Sequence, residues 1–360
     1  MKDQFTEIFS RFNASGTLCD AAPIGSGHIH ATFLLRTSEP DAADCILQKI
    51  NHQVFTDVNL LMNNIQHVTQ HLQQKRISED GFVVLEVVRT KNGQNYLVDA
   101  LGNFWRMFLN VQGSISYDKV PNTVIAYEAG KAYGHFLYSL HDFPVQTLQP
   151  VIPEFHSLSK RFRDFEKAVE NDPANRKSEV KSELELVYSQ IDEMKIVTEL
   201  EKQGRCPLRV THNDTKINNV LFNAQGKAIC VIDLDTVMPG LSLYDFGDAI
   251  RTAAATAAED EQDLSKMKID LQIFEAFTKG FLEKTHGILT QDEISYLAFS
   301  CRYITFIQGI RFLTDFLDGD KYYKTSSENH NLFRARAQFK LAESMREDFK
   351  EMQGIVMNGC

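Results

Sequence analysis

From Val210 to Thr236 the chain reads "VTHNDTKINNVLFNAQGKAICVIDLDT". Apolar, strand-like runs here carry bare polar side chains at fixed places: Asp214, Asn219 five residues later, and Asp233 fourteen after that. Removing a carboxylate or an amide from water without a partner is costly. A chain that sets such groups beside strands built for burial is therefore delivering them to a place where something binds them. Taken singly, His212, Asn213 and Asp214 are also ordinary turn residues. Their order, and the strands on either side, give the chemical reading its weight.

The rest of the chain divides around this island. Phe5, Ile8, Phe9 and Phe12 fall at helical spacing. "LCDAAPIGSGHIHATFLLRT" reads as strand, glycine turn, strand, and Asp44 to Ile50 as a third strand. Val58, Leu61, Met62, Ile65, Val68 and Leu72 recur in steps of three and four, one face of an amphipathic helix. "QNYLVDALGNFWRMFLNV" reads as a hairpin around Gly102-Asn103. Beyond it the pattern turns helical. Asn122 is a good N-cap for a helix to about Leu140, residues 159–203 are charged and helical with Pro173 as a break, and Thr290 to Glu293 form a capping-box signature. The expected plan is a small β-rich lobe, residues 1–110, and a larger mostly helical lobe, residues 111–360, with a hinge near Phe108 to Asn110.

Bulk properties remove several function classes. Apolar content of 43% and charged content of 24% are those of an ordinary globular protein. A net charge of −10 disfavours a nucleic acid or an anionic membrane as partner. The six cysteines show no CxxC spacing, which argues against a zinc site and a disulfide framework. The N-terminus lacks the apolar core of a signal peptide, and no run approaches the ~18 apolar residues of a membrane span. The expected location is cytoplasmic.

Phosphoryl transfer needs few protein groups. One carboxylate orients the attacking hydroxyl and accepts its proton, and metal ions held by another carboxylate and often an amide neutralise the phosphates. Asp214 and Asn219 supply a base and a metal ligand on one loop. Asp233 follows the next strand pair, folded back by a hairpin at "FNAQGKA". Asp235 is a second candidate, for a second metal or for orienting the loop. Asp245-Phe246-Gly247 mimics a protein-kinase metal motif, but Asp233 lies 19 residues after Asp214 against 31 for Asp245, which suits the template better. Asp245 is expected to cap the following helix. The expected cofactor is Mg²⁺, with ATP as co-substrate.

"HNDTKINN" followed by "VIDLDT" resembles the catalytic and metal motifs of the aminoglycoside phosphotransferase/choline kinase superfamily. "GSGHIHATFLL", "ILQKIN", "YDFGD" and "GIRFLTDFLDGDKYY" resemble the N-acetylhexosamine kinases within it, over nearly the whole chain. The resemblance implies an α+β, two-lobe, protein-kinase-like fold. It also implies Mg-dependent transfer from ATP to the anomeric hydroxyl of an N-acetylhexosamine, a small sugar. Kinases of choline, homoserine or aminoglycosides, and a nucleotide-binding pseudokinase, are the alternatives. Gly25, Ser26 and Gly27 fit the loop over the phosphates, since glycines let backbone amides approach anionic oxygens, although such a pair in a hairpin is also commonly just a turn. Phe108 is expected at the nucleotide. Gln48 takes the place where protein kinases carry a third-strand Lys, and the following helix offers no Glu, so the usual Lys–Glu pair is missing. The resemblance puts His28, Arg311 and Tyr322 at the sugar with Asp214. Arg311 has a structural alternative, pairing with Asp315 at i+4, and the acidic run "AAEDEQD" reads as a solvated helix start.

Overall fold

The computed structural model describes residues 2–25, 29–75 and 81–359. In chain order the elements are α1 (Lys2–Ser10), β1 (Leu18–Pro23), β2 (Ala31–Thr37), β3 (Cys45–Ile50), α2 (Val58–Gln74), β4 (Val87–Val88), β5 (Leu97–Val98), β6 (Phe104–Leu109), α3 (Thr123–Ser139), α4 (Leu158–Asn171), α5 (Lys181–Lys202), β7 (Arg209–Thr211), β8 (Val220–Phe222), β9 (Ala228–Val231), α6 (Ser242–Ala253), α7 (Leu271–Thr285), α8 (Gln291–Asp318), α9 (His330–Glu347) and α10 (Phe349–Asn358). The fold is α+β, with a β-sheet N-terminal region and a mostly helical C-terminal region. The chain forms two compact units. One comprises residues 1–115, 142–152 and 220–238, and the other residues 116–141, 153–219 and 239–360.

The first unit is built on an antiparallel sheet of order β1-β2-β3-β6-β4, with β5 also on β6. The register sets Thr32, Gln48 and Arg106 in one row across β2, β3 and β6. Successive strand residues face opposite sides. Leu35, Cys45, Leu47, Trp105 and Met107 join Phe5, Ile8, Phe9 and Phe12 of the N-terminal segment in one buried cluster. Helix α2 starts where expected, with Asp57 accepting the amide of Leu60, and buries the apolar stripe from Val58 to Leu72. The β8–β9 hairpin belongs to this unit and is tied to it where Ile115 and Phe222 exchange backbone hydrogen bonds. Strand β4 was not expected. Two residues are too few to show a period of two.

In the second unit α3 begins at Asn122, whose side chain accepts the amide of Ile125 at 3.0 Å. Helices α3 and α7 meet backbone to backbone. A Cβ on Gly130 would lie 2.1 Å from the Phe277 carbonyl oxygen, and one on Gly280 would lie 2.0 Å from that of Tyr127. Helix α8 opens with the complete Thr290/Glu293 capping box and runs buried for most of its 28 residues. No described helix is long and apolar enough to cross a membrane.

Candidate active site

Strand β7 leads directly into the His212–Asn213–Asp214 loop, and Asp245 holds that loop. Its carboxylate accepts the backbone amides of His212 at 2.8 Å and Asn213 at 2.7 Å. Asp245 lies inside α6, not at its cap, which corrects the capping expectation. Burial pushes its carboxyl up to about 6. Thr215 completes the anchorage, its hydroxyl donating to the Asp245 carbonyl at 2.6 Å and its amide to Asp248 at 3.0 Å. Asp248 is buried, but the charges of Arg251 and Lys216 outweigh that penalty and hold it below the ordinary carboxylate range. Asn213 adopts the left-handed conformation, φ 63°. Gly240 makes room beside it, since a Cβ there would sit 2.3 Å from Thr211 Oγ1 and 3.1 Å from Asn213 Oδ1.

Asp214 emerges from this frame partly exposed. Lys216 Nζ lies 2.8 Å from its Oδ1, and the Asp214 charge drives the lysine's pKa upward. Asn219 Nδ2 donates to the Asp214 carbonyl at 2.9 Å and to Oδ2 at 3.3 Å. Because the carbonyl only accepts, the amide's orientation is fixed. Its Oδ1 is the remaining polar atom of the amide, a hard oxygen donor of the kind Mg²⁺ takes. Lys216 was missed in the sequence, although it stands two residues from Asp214 in the same motif.

In the first unit, Asp233 follows β9 in the left-handed conformation, φ 59° and ψ 58°. Asp235, two residues on, is buried and fully engaged. Arg106 meets both its oxygens, with Nη2 2.9 Å from Oδ2 and Nη1 on Oδ1. His30 Nε2 also bonds Oδ2. Burial opposes the charge on Asp235, and Arg106 and His30 overcome it, so the carboxyl lies well below its ordinary range. Gln48 is drawn into the same network, its Oε1 accepting from Arg106 Nε at 2.9 Å and its Nε2 donating to Thr32 Oγ1 at 3.1 Å. The backbone amide of Asn51 donates to His30 Nδ1 at 3.0 Å, which leaves Nε2 as the protonated nitrogen facing Asp235. Asp235 is thus held in an ion-pair network in which Arg106 and His30 take up its oxygens. Gln48 orients Arg106 instead of standing clear in the position of a lysine. Phe108 lies buried with the Arg106 guanidinium 5.2 Å from its ring centroid. Gly25 has φ 80°. Ser26, Gly27 and His28 lie outside the described residues.

Elsewhere in the second unit, the Arg311 guanidinium stacks 5.1 Å from the Phe155 ring and 5.7 Å from the Tyr323 ring. Its Nη1 donates to Gln308 Oε1 at 2.9 Å, and Gln308 Nε2 donates to the Tyr323 hydroxyl at 3.2 Å. Tyr323, not Tyr322, is the ring brought to Arg311. Tyr322 is 63% exposed and packs edge-on against Tyr323. Asp315 does not pair with Arg311. It accepts the backbone amides of Tyr322 and Tyr323 and the side chain of Asn331. A second guanidinium, Arg161, donates to the Phe155 carbonyl, and burial together with the Arg311 charge pulls its pKa down to about 10. Among the described residues neither arginine is ion-paired to a carboxylate.

A family model described as the phosphotransferase enzyme family matches residues 20–275, a span that includes the Asp214 loop. The chain belongs to that family. Members of the phosphotransferase family are small-molecule kinases that act on alcohols, and this chain is one. Its fold is shared with solved structures at low identity. Amicoumacin kinase hAmiN, solved with AMP-PNP, Ca²⁺ and Ami, has a TM-score of 0.60 at 12% identity, covering 98% of this chain and 93% of its own. The microcompartment-associated aminopropanol kinase gives 0.58 at 14%, covering 99% of each chain. Choline kinase from Cryptosporidium parvum Iowa II gives 0.57 at 14%, covering 99% and 98%. Among the described residues no group of three or more His, Cys, Asp and Glu side chains gathers as a metal site. A phosphotransferase does not require one, because Mg²⁺ is commonly held by one or two carboxylates plus substrate phosphates.

Proposed function

We propose that this phosphotransferase transfers the γ-phosphoryl group of ATP to the anomeric hydroxyl of an N-acetylhexosamine, giving the sugar 1-phosphate. The observation that carries the choice of acceptor is the Arg311 platform. A guanidinium, an amide and two aromatic rings suit the hydroxyls and ring face of a neutral sugar. Two guanidiniums with no carboxylate ion-pair partner among the described residues repel a cationic amino alcohol. The acids of the "AAEDEQD" run stand beside cations or a histidine, Glu259 by Arg251, Asp260 by His330, and Glu261 and Asp263 by Lys266, which disfavours this run as a pocket for an aminoglycoside.

In this reading Asp214 accepts the proton of the attacking hydroxyl as its oxygen bonds to phosphorus and the bond to the ADP oxygen breaks. Lys216 offsets charge beside it. Asn219 Oδ1 and the Asp233 carboxylate are the residues that would hold Mg²⁺, which neutralises the phosphates when bound. Asp245 and Asp248 keep the loop fixed. The glycine loop at Gly25 to Gly27 and Phe108 serve the nucleotide, and His28, Arg311 and Tyr322 serve the sugar, with Tyr323 added.

ADP release with a panel of free sugars, methyl glycosides, choline, aminopropanol and aminoglycosides tests this. Free N-acetylhexosamines should be turned over and their methyl glycosides, blocked at O1, should be inert. Turnover of a methyl glycoside at a comparable rate rules out O1, and preference for an amine assigns the chain to the amino-alcohol kinases.

A further inference from the structure

Phe155 and His156 lie just ahead of α4, and their neighbours fall into two sets. On one side Arg161 donates to the Phe155 carbonyl through Nε at 3.1 Å and Nη2 at 2.6 Å, and Arg311 covers the Phe155 ring. On the other side His156 Nε2 lies 3.2 Å from the carbonyl oxygen of Asn213, the residue before Asp214. That carbonyl only accepts, so Nε2 carries the hydrogen. The imidazole is clamped between Phe155, centroid 4.5 Å away, and Tyr244, 5.2 Å away, and the Tyr303 hydroxyl donates to the His156 carbonyl at 3.3 Å. Burial keeps the ring neutral, its pKa pushed down to about 4, and the charges of Asp248, Arg311 and Arg161 reach it.

Asn213 is consequently gripped at both ends of its left-handed backbone, by Asp245 at the amide and by His156 at the carbonyl. Turning the Asn213–Asp214 peptide would swing the Asp214 side chain. We propose that Phe155–His156 is a positioning element that ties the acceptor platform to the aim of Asp214, with Phe155 bearing on Arg311 and His156 acting through the Asn213 carbonyl. The proposal rests on Asp214 as base and Arg311 as acceptor contact. Neither Phe155 nor His156 touches the reacting atoms.

The wild-type enzyme is assayed first. If it phosphorylates no acceptor of the panel, the functional reading fails and this proposal falls with it. With an active wild type, His156→Phe should lower kcat on the acceptor ~10- to 100-fold, the effect of an unpaired buried carbonyl and a displaced base. Its Kd for Mg·ATP, measured by calorimetry, should not move. His156→Gln, which keeps an N–H near the Nε2 position, should recover to within ~3-fold of wild type. Phe155→Leu should shift acceptor KM and kcat together. A wild-type kcat in His156→Phe, or His156→Gln as impaired as His156→Phe, overturns the proposal. Should His156→Phe not fold by circular dichroism, Phe155→Leu decides, and wild-type values of both its constants overturn it.

Discussion

Asp245 reaches out of the first turn of its own helix to the backbone nitrogen of Asn213, 2.7 Å away and 32 residues back in the chain. The look-alike metal motif is thus a brace for the loop that carries Asp214. On the proposed reading chemistry and scaffolding are divided between two aspartates, the partly exposed Asp214 and the buried Asp245.

Asp214→Asn should lower kcat by ~10²–10⁴-fold, the usual contribution of a general base. Nucleotide affinity should stay close to wild type, because the substitution is isosteric. Steady-state kinetics and a titration of Mg·ATP measure the two quantities; a variant with more than half the wild-type rate would place the base elsewhere.

Asp245→Asn turns an NH₂ group toward one of two buried backbone amides that the carboxylate accepted. Leaving that donor unsatisfied should cost ~1–3 kcal/mol of stability, and kcat should fall with it as Asp214 loses its brace. Urea unfolding and kinetics on one preparation check both effects. A variant that loses Mg·ATP binding while Asp233→Ala retains it would reverse the two roles.

Arg106 and Asp235 should show strong energetic coupling. Removing either partner strands a buried charge, which typically costs ~3–5 kcal/mol. The double variant Arg106→Met/Asp235→Leu removes both and should be less damaged than the sum of the singles. A double-mutant cycle in urea reads the coupling directly, and additive losses would mean the pair is not a unit.

His156 gives the protein an acid-side weakness. Its folded-state pKa is lowered from 6.5 to about 4 by burial. The stability it supports is therefore complete above pH 6.5 and is lost as the pH falls from there toward 4. His156→Gln lacks this titration, so the stability difference between wild type and variant should shrink or change sign across that interval, by on the order of 2–3 kcal/mol. Unfolding curves at half-unit pH steps, with a constant difference as the contrary result, settle it.

What could be read in the sequence was what repeats or sits close together. The period of three and four from Val58 to Leu72, the caps at Asn122 and Thr290, the strand over Asp44 to Ile50 and the hairpin around Gly102-Asn103 all reappear as elements. The family was legible in two short motifs, "HNDTKINN" and "VIDLDT". The supports were not. Arg106 and Asp235 lie 129 residues apart and His156 and Asn213 lie 57 apart, and no local pattern joins them. The helix-cap reading of Asp245 failed for the same reason: the rule looks at the nearest amides, and a buried carboxylate bonds whichever amides the fold brings to it.

Asp233 stands in a left-handed backbone conformation, and that restricts its replacements twice over. Side chains other than Gly, Asn and Asp resist this conformation, by ~1–2 kcal/mol. The proposed metal role adds a demand for a carboxylate, which only Asp and Glu among the standard residues carry, so on that reading Asp alone satisfies both demands. Lengthening the arm to Glu, often tried as a mild change at metal ligands, would strain the main chain before any question of reach arose. Glycine would keep the turn and discard the charge. For a mutational library the position is a single-letter site, set by torsion angle as much as by chemistry.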